Sequence, residues 1–241
     1  MNSLRNLLPE ARFVCRLDDS KHARNLDVDQ FTKLEVSSIR PISSIPAWVG
    51  KRAYEGRWWF SRTRGHVAFA SAREKDVLTF LDFSGDIAQI ARDPVIVIPA
   101  RSDATPLIRP WLLIEDMTGA RSLLLPHEDV LRSAELAAIL RGHTVGVAEI
   151  YLPDAGEMRL VRWLAGYRFT RFTLPPQDEQ QVRDVSSDAS SVSATVTSAA
   201  RMLPYSESAV RANLYSQIWR RTITLLDPRA GLSDLSKVVA A

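Results

Sequence analysis

The residues best suited to chemistry lie between Lys51 and Pro94. Lys51, Arg52, Arg57, Arg62 and Arg64 surround Trp58, Trp59 and Phe60. Arginine and lysine neutralise phosphates while indoles stack on bases or sugars, the pairing used in nucleic-acid grooves. The same run equally suits an edge hairpin whose charges face water and whose tryptophans turn into the core. Just downstream, Ser71 is a good helix N-cap, and Glu74 stands three residues on as a capping-box partner. Other catalytic devices are missing from the chain. There is no G-x-S-x-G elbow, no C-x-x-C, no Walker loop and no G-x-G-x-x-G, so neither an activated serine nor a phosphate-cradling loop is indicated. His66 and His143 stand alone and read as surface or satisfied core residues.

Several elements must position these groups. Gly65 supplies a turn, and His66–Phe69 reads as a short strand. Val77, Leu78, Phe80 and Leu81 fall on the rhythm of an amphipathic helix that Ser71 starts and Gly85 ends. Ile87–Ile90 leads into a strand, and Val95–Pro99 is a β-branched run suited to burial on both faces. Trp111–Ile114 and Ser122–Leu125 read as partners across a turn at Asp116–Gly119. A helix over Glu128–Leu140 and a strand over Val145–Ile150 follow.

At the N-terminus, Arg12–Arg16 reads as a strand and Asp29–Lys33 as part of a short helix. Residues 1–40 are expected to be a lead-in packed on the core, with Pro41–Pro46 as a connector. Towards the C-terminus, Val161–Phe169 reads as the start of a helix, in which Arg162, Arg168 and Arg171 could face a phosphate backbone. Residues 173–203, rich in Ser, Gln and Asp, are expected to be a linker or a polar helix with little to bury. Ser206–Leu226 reads as an amphipathic helix of a small helical C-terminal unit spanning 204–241.

The 241 residues allow one domain of substance with a small appendage. Hydrophobic residues make up 46% of the chain, enough for a packed core. No apolar run approaches the roughly 20 residues that span a bilayer, and Met1–Arg5 does not read as a signal peptide. Cys15 is the single cysteine, which excludes an internal disulfide and fits a reducing cytoplasm. The net charge of +3 is modest, but Arg40–Arg73 holds seven Lys and Arg against one acid, Glu55.

Three stretches resemble the TnsA-like transposase endonuclease subunits, over roughly residue 40 to the C-terminus. Phe69-Ala-Ser-Ala-Arg-Glu74, Leu81-Asp-Phe-Ser-Gly-Asp86 and Asp93-Pro94 are similar to that family's "FES-x-LE-R-D … DFDP … QP" pattern. Val161-Arg-Trp-Leu-Ala-Gly-Tyr167-Arg is similar to its "NVRWLAGYR". Tyr215-Ser-Gln-Ile-Trp219-Arg, followed by Leu232-Ser-Asp, is similar to its C-terminal "HLLWR … PLSD".

The resemblance implies an α/β fold, the restriction-endonuclease-like αβββαβ core with a mixed sheet, over residues 41–172. It also implies metal-dependent DNA cleavage, in which carboxylates hold one or two divalent cations that activate water. Of the family's ligand positions, Glu74 keeps the glutamate. Trp111 (or Pro110, in a register one residue earlier) stands where an aspartate is expected, and Leu123 and Leu125 stand where an acid and a lysine are expected. An indole and two leucines cannot ligate a cation that demands oxygen.

The expectation is therefore a nuclease fold without a metal site or a cofactor, in which Glu74 serves as a cap or salt-bridge residue. Its partners would be DNA and, by resemblance, a transposase and an AAA+ regulator, with no membrane involved. The alternative is an active Mg²⁺-dependent endonuclease with rearranged ligands, Glu74 joined by Glu115 or Asp116. Asp82, Asp86, Asp93 and Glu128 also lie close by in sequence.

Overall fold

Alternation of apolar and polar residues over Arg12–Leu17 makes β1, whose Phe13, Cys15 and Leu17 are buried while Arg12 and Arg16 face out. In the computed structural model, which describes residues 11–18, 22–43, 54–100, 107–126 and 130–241, the fold is mixed α/β with several sheets and seven α-helices. It divides into two compact units. The first is drawn from Met1–Trp59, Gly65–Ala70 and Asp86–Ile150, the second from Phe60–Arg64, Ser71–Gly85 and Tyr151–Ala241.

In the first unit β1 is the centre of a four-stranded sheet. It pairs antiparallel with β2 (Arg24–Leu26), with β3 (Ile39–Arg40) and with β7 (Ile96–Ile98). Between β2 and β3 lies the short helix α1 (Val28–Thr32), closed by a full capping box between Asp27 and Gln30. The Phe31 ring stacks on Phe13 at 4.9 Å. The N-terminal segment thus supplies a central strand rather than a lead-in. The run after Pro94 also departs from expectation: β7 joins β1 and not the neighbouring sheet, and Ile98 is 37% exposed.

The second sheet of this unit is mixed. Its order is β10-β9-β8-β6, built from β6 (Ile87–Arg92), β8 (Leu112–Asp116), β9 (Arg121–Leu124) and β10 (Val145–Ala148). β6, β8 and β9 run antiparallel, whereas β10 is parallel to β9 and is reached through α3 (Val130–Ile139). A parallel return of this kind needs such a crossover. Leu113, Leu123 and Val145 on this sheet share one core with Phe13, Val97, Ile108 and Leu136. β4 (Gly56–Phe60) and β5 (Gly65–Phe69) form a separate two-stranded hairpin.

The second unit is helical with one small strand pair. α2 (Ala72–Ser84) is capped by Ser71 and ends at Gly85, whose φ of 72° is a left-handed conformation that glycine adopts without strain. α4 (Ala155–Leu164) begins six residues ahead of the expected Val161, because Asp154 caps it by accepting from the Gly156 and Glu157 amides. Tight turns at Ala165–Tyr167 and Thr170–Phe172 follow it.

The stretch expected as a linker is α5 (Pro176–Val185) and α6 (Val192–Met202), and Val182, Val192, Val196 and Ala199 in it are buried. α7 (Glu207–Trp219) is buried at every position from Asn213 to Trp219. That makes it a central helix rather than an amphipathic tail. β11 (Ile223–Leu225) and β12 (Val238–Ala240) then pair antiparallel, so the expected helical C-terminal unit also contains a strand pair. Among the described residues, no helix is long and apolar enough to cross a membrane.

Candidate functional site

The positions expected to carry metal chemistry divide between the units. Glu74 lies in the second, and Trp111, Leu123, Leu125, Glu115 and Asp116 lie in the first. Glu74 is the third residue of α2, partly buried, and its N–H donates to Ser71 Oγ at 3.0 Å. An acid in the first helical turn also suits the partial positive charge of that end.

In the first unit Leu123 is completely buried. It sits in register with Leu113 on one side and Val147 on the other, and Leu125 packs against the same core. Trp111 precedes β8. Its backbone is held by Leu124 O (2.7 Å) and by the Asp93 N–H (2.8 Å), while its indole Nε1 is buried without a hydrogen-bond partner. None of these three positions therefore offers an oxygen, and the one polar atom among them, the Trp111 indole Nε1, is a donor.

The carboxylates that could compensate are engaged elsewhere. Glu115 sits opposite Arg121 across the β8–β9 ladder, and its Oε2 takes the Arg121 Nε–H at 2.7 Å. Arg121 in turn donates to Leu34 O at 2.7 Å, which ties the pair to the loop after α1. Asp116 Oδ1 accepts from Thr118 Oγ1, Thr118 N and Ala120 N at 2.7, 2.8 and 2.9 Å. That closes the hairpin turn, and the bonds, led by the Thr118 hydroxyl, hold the carboxyl below the usual range.

Asp82 is buried in the second unit and accepts from Ser61 N and Oγ at 2.9 and 2.5 Å. Asp93, at a φ of 47°, accepts from Ser43 N at 2.8 Å. Asp86 is exposed at the residue before β6, and its carbonyl takes the Met117 N–H. Glu128 lies outside the described residues. Within neither unit do the described residues bring three His, Cys, Asp or Glu side chains into a group that could hold a metal ion.

The basic, aromatic run is an alternating hairpin. Trp58, Phe60, Val67 and Phe69 are buried, so one indole and three other apolar side chains turn inward. Arg57, Trp59 and His66 form the outward face, where the Trp59 and His66 rings meet edge to face at 5.1 Å. Gly56 is needed by its neighbour, because a Cβ there would lie 2.6 Å from the Phe69 ring.

Arg62 and Arg64 are exposed in the turn, where Arg64 adopts a φ of 51°. Neither Arg57 nor Arg64 forms an ion pair or hydrogen bond with another described residue through its side chain. The hairpin thus turns its apolar side chains inward and leaves Arg57 and Arg64 exposed. Lys51 and Arg52 lie outside the described residues.

The other arginines that could have faced phosphate are used internally. Arg162 makes a bidentate pair with Asp76, both contacts at 2.7 Å. Arg168 is held by Ala165 O and lies 4.3 Å over the Phe169 ring, and burial lowers its pKa against the opposing effect of Asp82. Arg171 stacks on Phe169 and Phe172.

Sequence reasoning missed a buried polar network in the second unit. Glu179 takes Arg220 Nη1 and Nη2 at 3.0 and 2.6 Å and Asn213 Nδ2 at 2.9 Å, and Gln217 bridges to Asn213 at 2.8 Å. Burial opposes ionisation of Glu179, yet these donors, Arg220 foremost, keep its carboxyl below the usual range. The available signal was spacing: Asn213, Gln217 and Arg220 recur at helical intervals among Val210, Leu214 and Ile218.

Compared with known proteins, the chain matches no family model and no curated protein.

Proposed function

We propose that this chain is a TnsA-like transposase endonuclease subunit without a working metal site, which acts by binding DNA and transposition partners. The observation that carries the reading is the fate of the ligand positions. Leu123 is a core residue and Leu125 packs partly buried against that core, Trp111 offers a donor, and Glu115 and Asp116 are engaged in an ion pair and a turn. A cation recruited here would meet Glu115 already paired with Arg121 and one Asp116 oxygen already taken by the β8–β9 turn. So few carboxylate oxygens leave most of its coordination to water.

Two further features support the restriction-endonuclease-like reading. The second sheet of the first unit has three antiparallel strands, a helical crossover and a parallel fourth strand, preceded in sequence by α2. That order resembles the αβββαβ succession. The β4–β5 hairpin, with Arg57 on its outward face and Arg64 in its turn lacking acidic partners among the described residues, and Trp59 beside His66, supports DNA binding.

The experiment is a supercoiled-plasmid assay with Mg²⁺ or Mn²⁺, alongside gel retardation of duplex DNA at low salt. The expected result is retardation without nicking. Metal-dependent nicking that disappears in Glu74→Ala would establish the active-endonuclease alternative. Neither nicking nor retardation would remove both DNA readings and leave a protein scaffold.

A further inference from the structure

The second unit contains a cleft of about 380 Å³ lined by Arg159, Leu160 and Trp163 of α4 and by Arg229, Gly231 and Leu232 of the segment after β11. That volume falls within the roughly 300–1,000 Å³ of small-molecule sites. Arg159 and Trp163 are four residues apart on α4 and so project from one face.

Three properties of the lining point to a ligand. Trp163 is 46% exposed, although it packs on Tyr167 and Tyr215 at centroid distances of 5.0 and 4.9 Å. These contacts fix the indole while much of it stays open to solvent. Arg159 is exposed and makes no hydrogen bond or ion pair with any described residue. Arg229 has an 80% exposed side chain whose only such contact is Nε to Asp154 Oδ2 at 3.6 Å. Most other arginines around α4 and α7 are already spent, Arg162 on Asp76, Arg211 on Asp234 and Arg220 on Glu179. The end of α4 is not the attraction, since Asp154 already accepts from Gly156 and Glu157.

A fixed indole face beside one guanidinium without a polar contact to any described residue (Arg159) and a second held by a single exposed ion pair (Arg229) suits the base and phosphate of a nucleotide. We propose that this cleft binds a nucleotide, with the base stacked on Trp163 and the phosphate held by Arg159 and Arg229. The site lies in a different unit from most of the β4–β5 hairpin and does not depend on duplex binding there.

The test is a fluorescence titration of the full chain with three probes: inorganic phosphate, dAMP and a single-stranded oligothymidylate. Saturable binding of dAMP or of the oligothymidylate, with phosphate much weaker, is expected. dAMP alone would mark a free nucleotide as the source, and the oligothymidylate alone a strand. Arg159→Glu, at an exposed position with no partner to lose, should weaken binding about tenfold or more, and Trp163→Ala by roughly 5- to 100-fold. Trp163→Phe should retain most of the affinity.

Circular dichroism checks that Trp163→Ala still folds; if it does not, Arg159→Glu decides. No binding of either nucleobase probe, or unchanged binding in Arg159→Glu, overturns the proposal. An Arg57→Ala/Arg64→Ala variant keeps the two sites distinguishable. It should lose duplex retardation while binding the probe of the cleft normally.

Discussion

Placing a carboxylate at Leu123, where the resembled family has an acid, should wreck the fold rather than restore a site. Leu123 is fully buried between Leu113 and Val147, in a core that includes Leu136, Ile108 and Val145. Leu123→Asn is the reference. It loses leucine burial, about 2–5 kcal/mol by analogy with leucine truncation, and leaves an unpaired amide worth about 1–3 kcal/mol. Leu123→Asp adds the cost of ionisation in that setting. Burial raises an aspartate pKa by about 3 units from about 3.9. At about 1.4 kcal/mol per unit, the aspartate is about 4 kcal/mol worse than asparagine near pH 7.

The sign follows from proton uptake. Between the unfolded pKa and the raised folded one, the native state binds more protons than the unfolded state, so stability falls as pH rises. The gap between Asp and Asn should be near zero at pH 4 and widen steadily towards pH 7. Urea titrations of both variants across that range measure it directly. Set against a typical total of about 5–15 kcal/mol, Leu123→Asp should be close to unfolded at neutral pH. A gap that stays flat with pH would mean the new carboxylate ionises freely, in a hydrated or cation-ready position. Recovery of Leu123→Asp, but not Leu123→Asn, on adding excess Mg²⁺ would refute the reasoning outright.

Arg57→Ala and Arg64→Ala should each lower the slope of log affinity against log salt for duplex DNA by about 1, as expected for a lost phosphate contact; a salt titration by gel retardation reads this, and unchanged slopes would remove both residues from the interface. Glu179→Gln should cost about 2–3 kcal/mol in urea, at or below the bottom of the roughly 3–5 kcal/mol for a broken buried pair because the Arg220 side chain is 35% exposed. The Glu179 carboxylate contribution is fully present above its unfolded pKa of about 4.3 and is lost as pH falls through the depressed folded value. The wild type should therefore lose more stability than Glu179→Gln below about pH 4, and parallel acid-denaturation curves would contradict this. Gly56→Ala should cost about 1–3 kcal/mol through the clash with the buried Phe69 ring, and a thermal melt unchanged from wild type would show that the ring moves aside freely.

How much was legible in the chain depends on whether a residue's role is set locally or across the fold. α2 was readable because its signals are local: Ser71 at the cap, an apolar rhythm, and Gly85 where φ turns positive. The β8–β9 turn was readable for the same reason, as Asp116, Thr118 and Gly119 close it among themselves. Residues 173–203 misled because a polar composition says nothing about partners. Glu179 and Thr195 are buried, and each is satisfied by residues that the sequence does not mark as its neighbours.

The candidate site shows the same division. That Trp111, Leu123 and Leu125 cannot ligate a cation follows from residue type alone. That Glu115 is committed does not, because it requires the register that sets Glu115 opposite Arg121. The arginines make the point most sharply. For Arg162, Arg168 and Arg171 the sequence favours packing and leaves phosphate contact open, and the fold decides for packing, since they are held by Asp76, by Ala165 and by aromatic rings. Arg159 attracted no attention in the sequence, and it makes no polar contact with any described residue. Cations that the fold leaves uncommitted, rather than cations dense in sequence, mark where an anionic ligand can be held without breaking an existing pair.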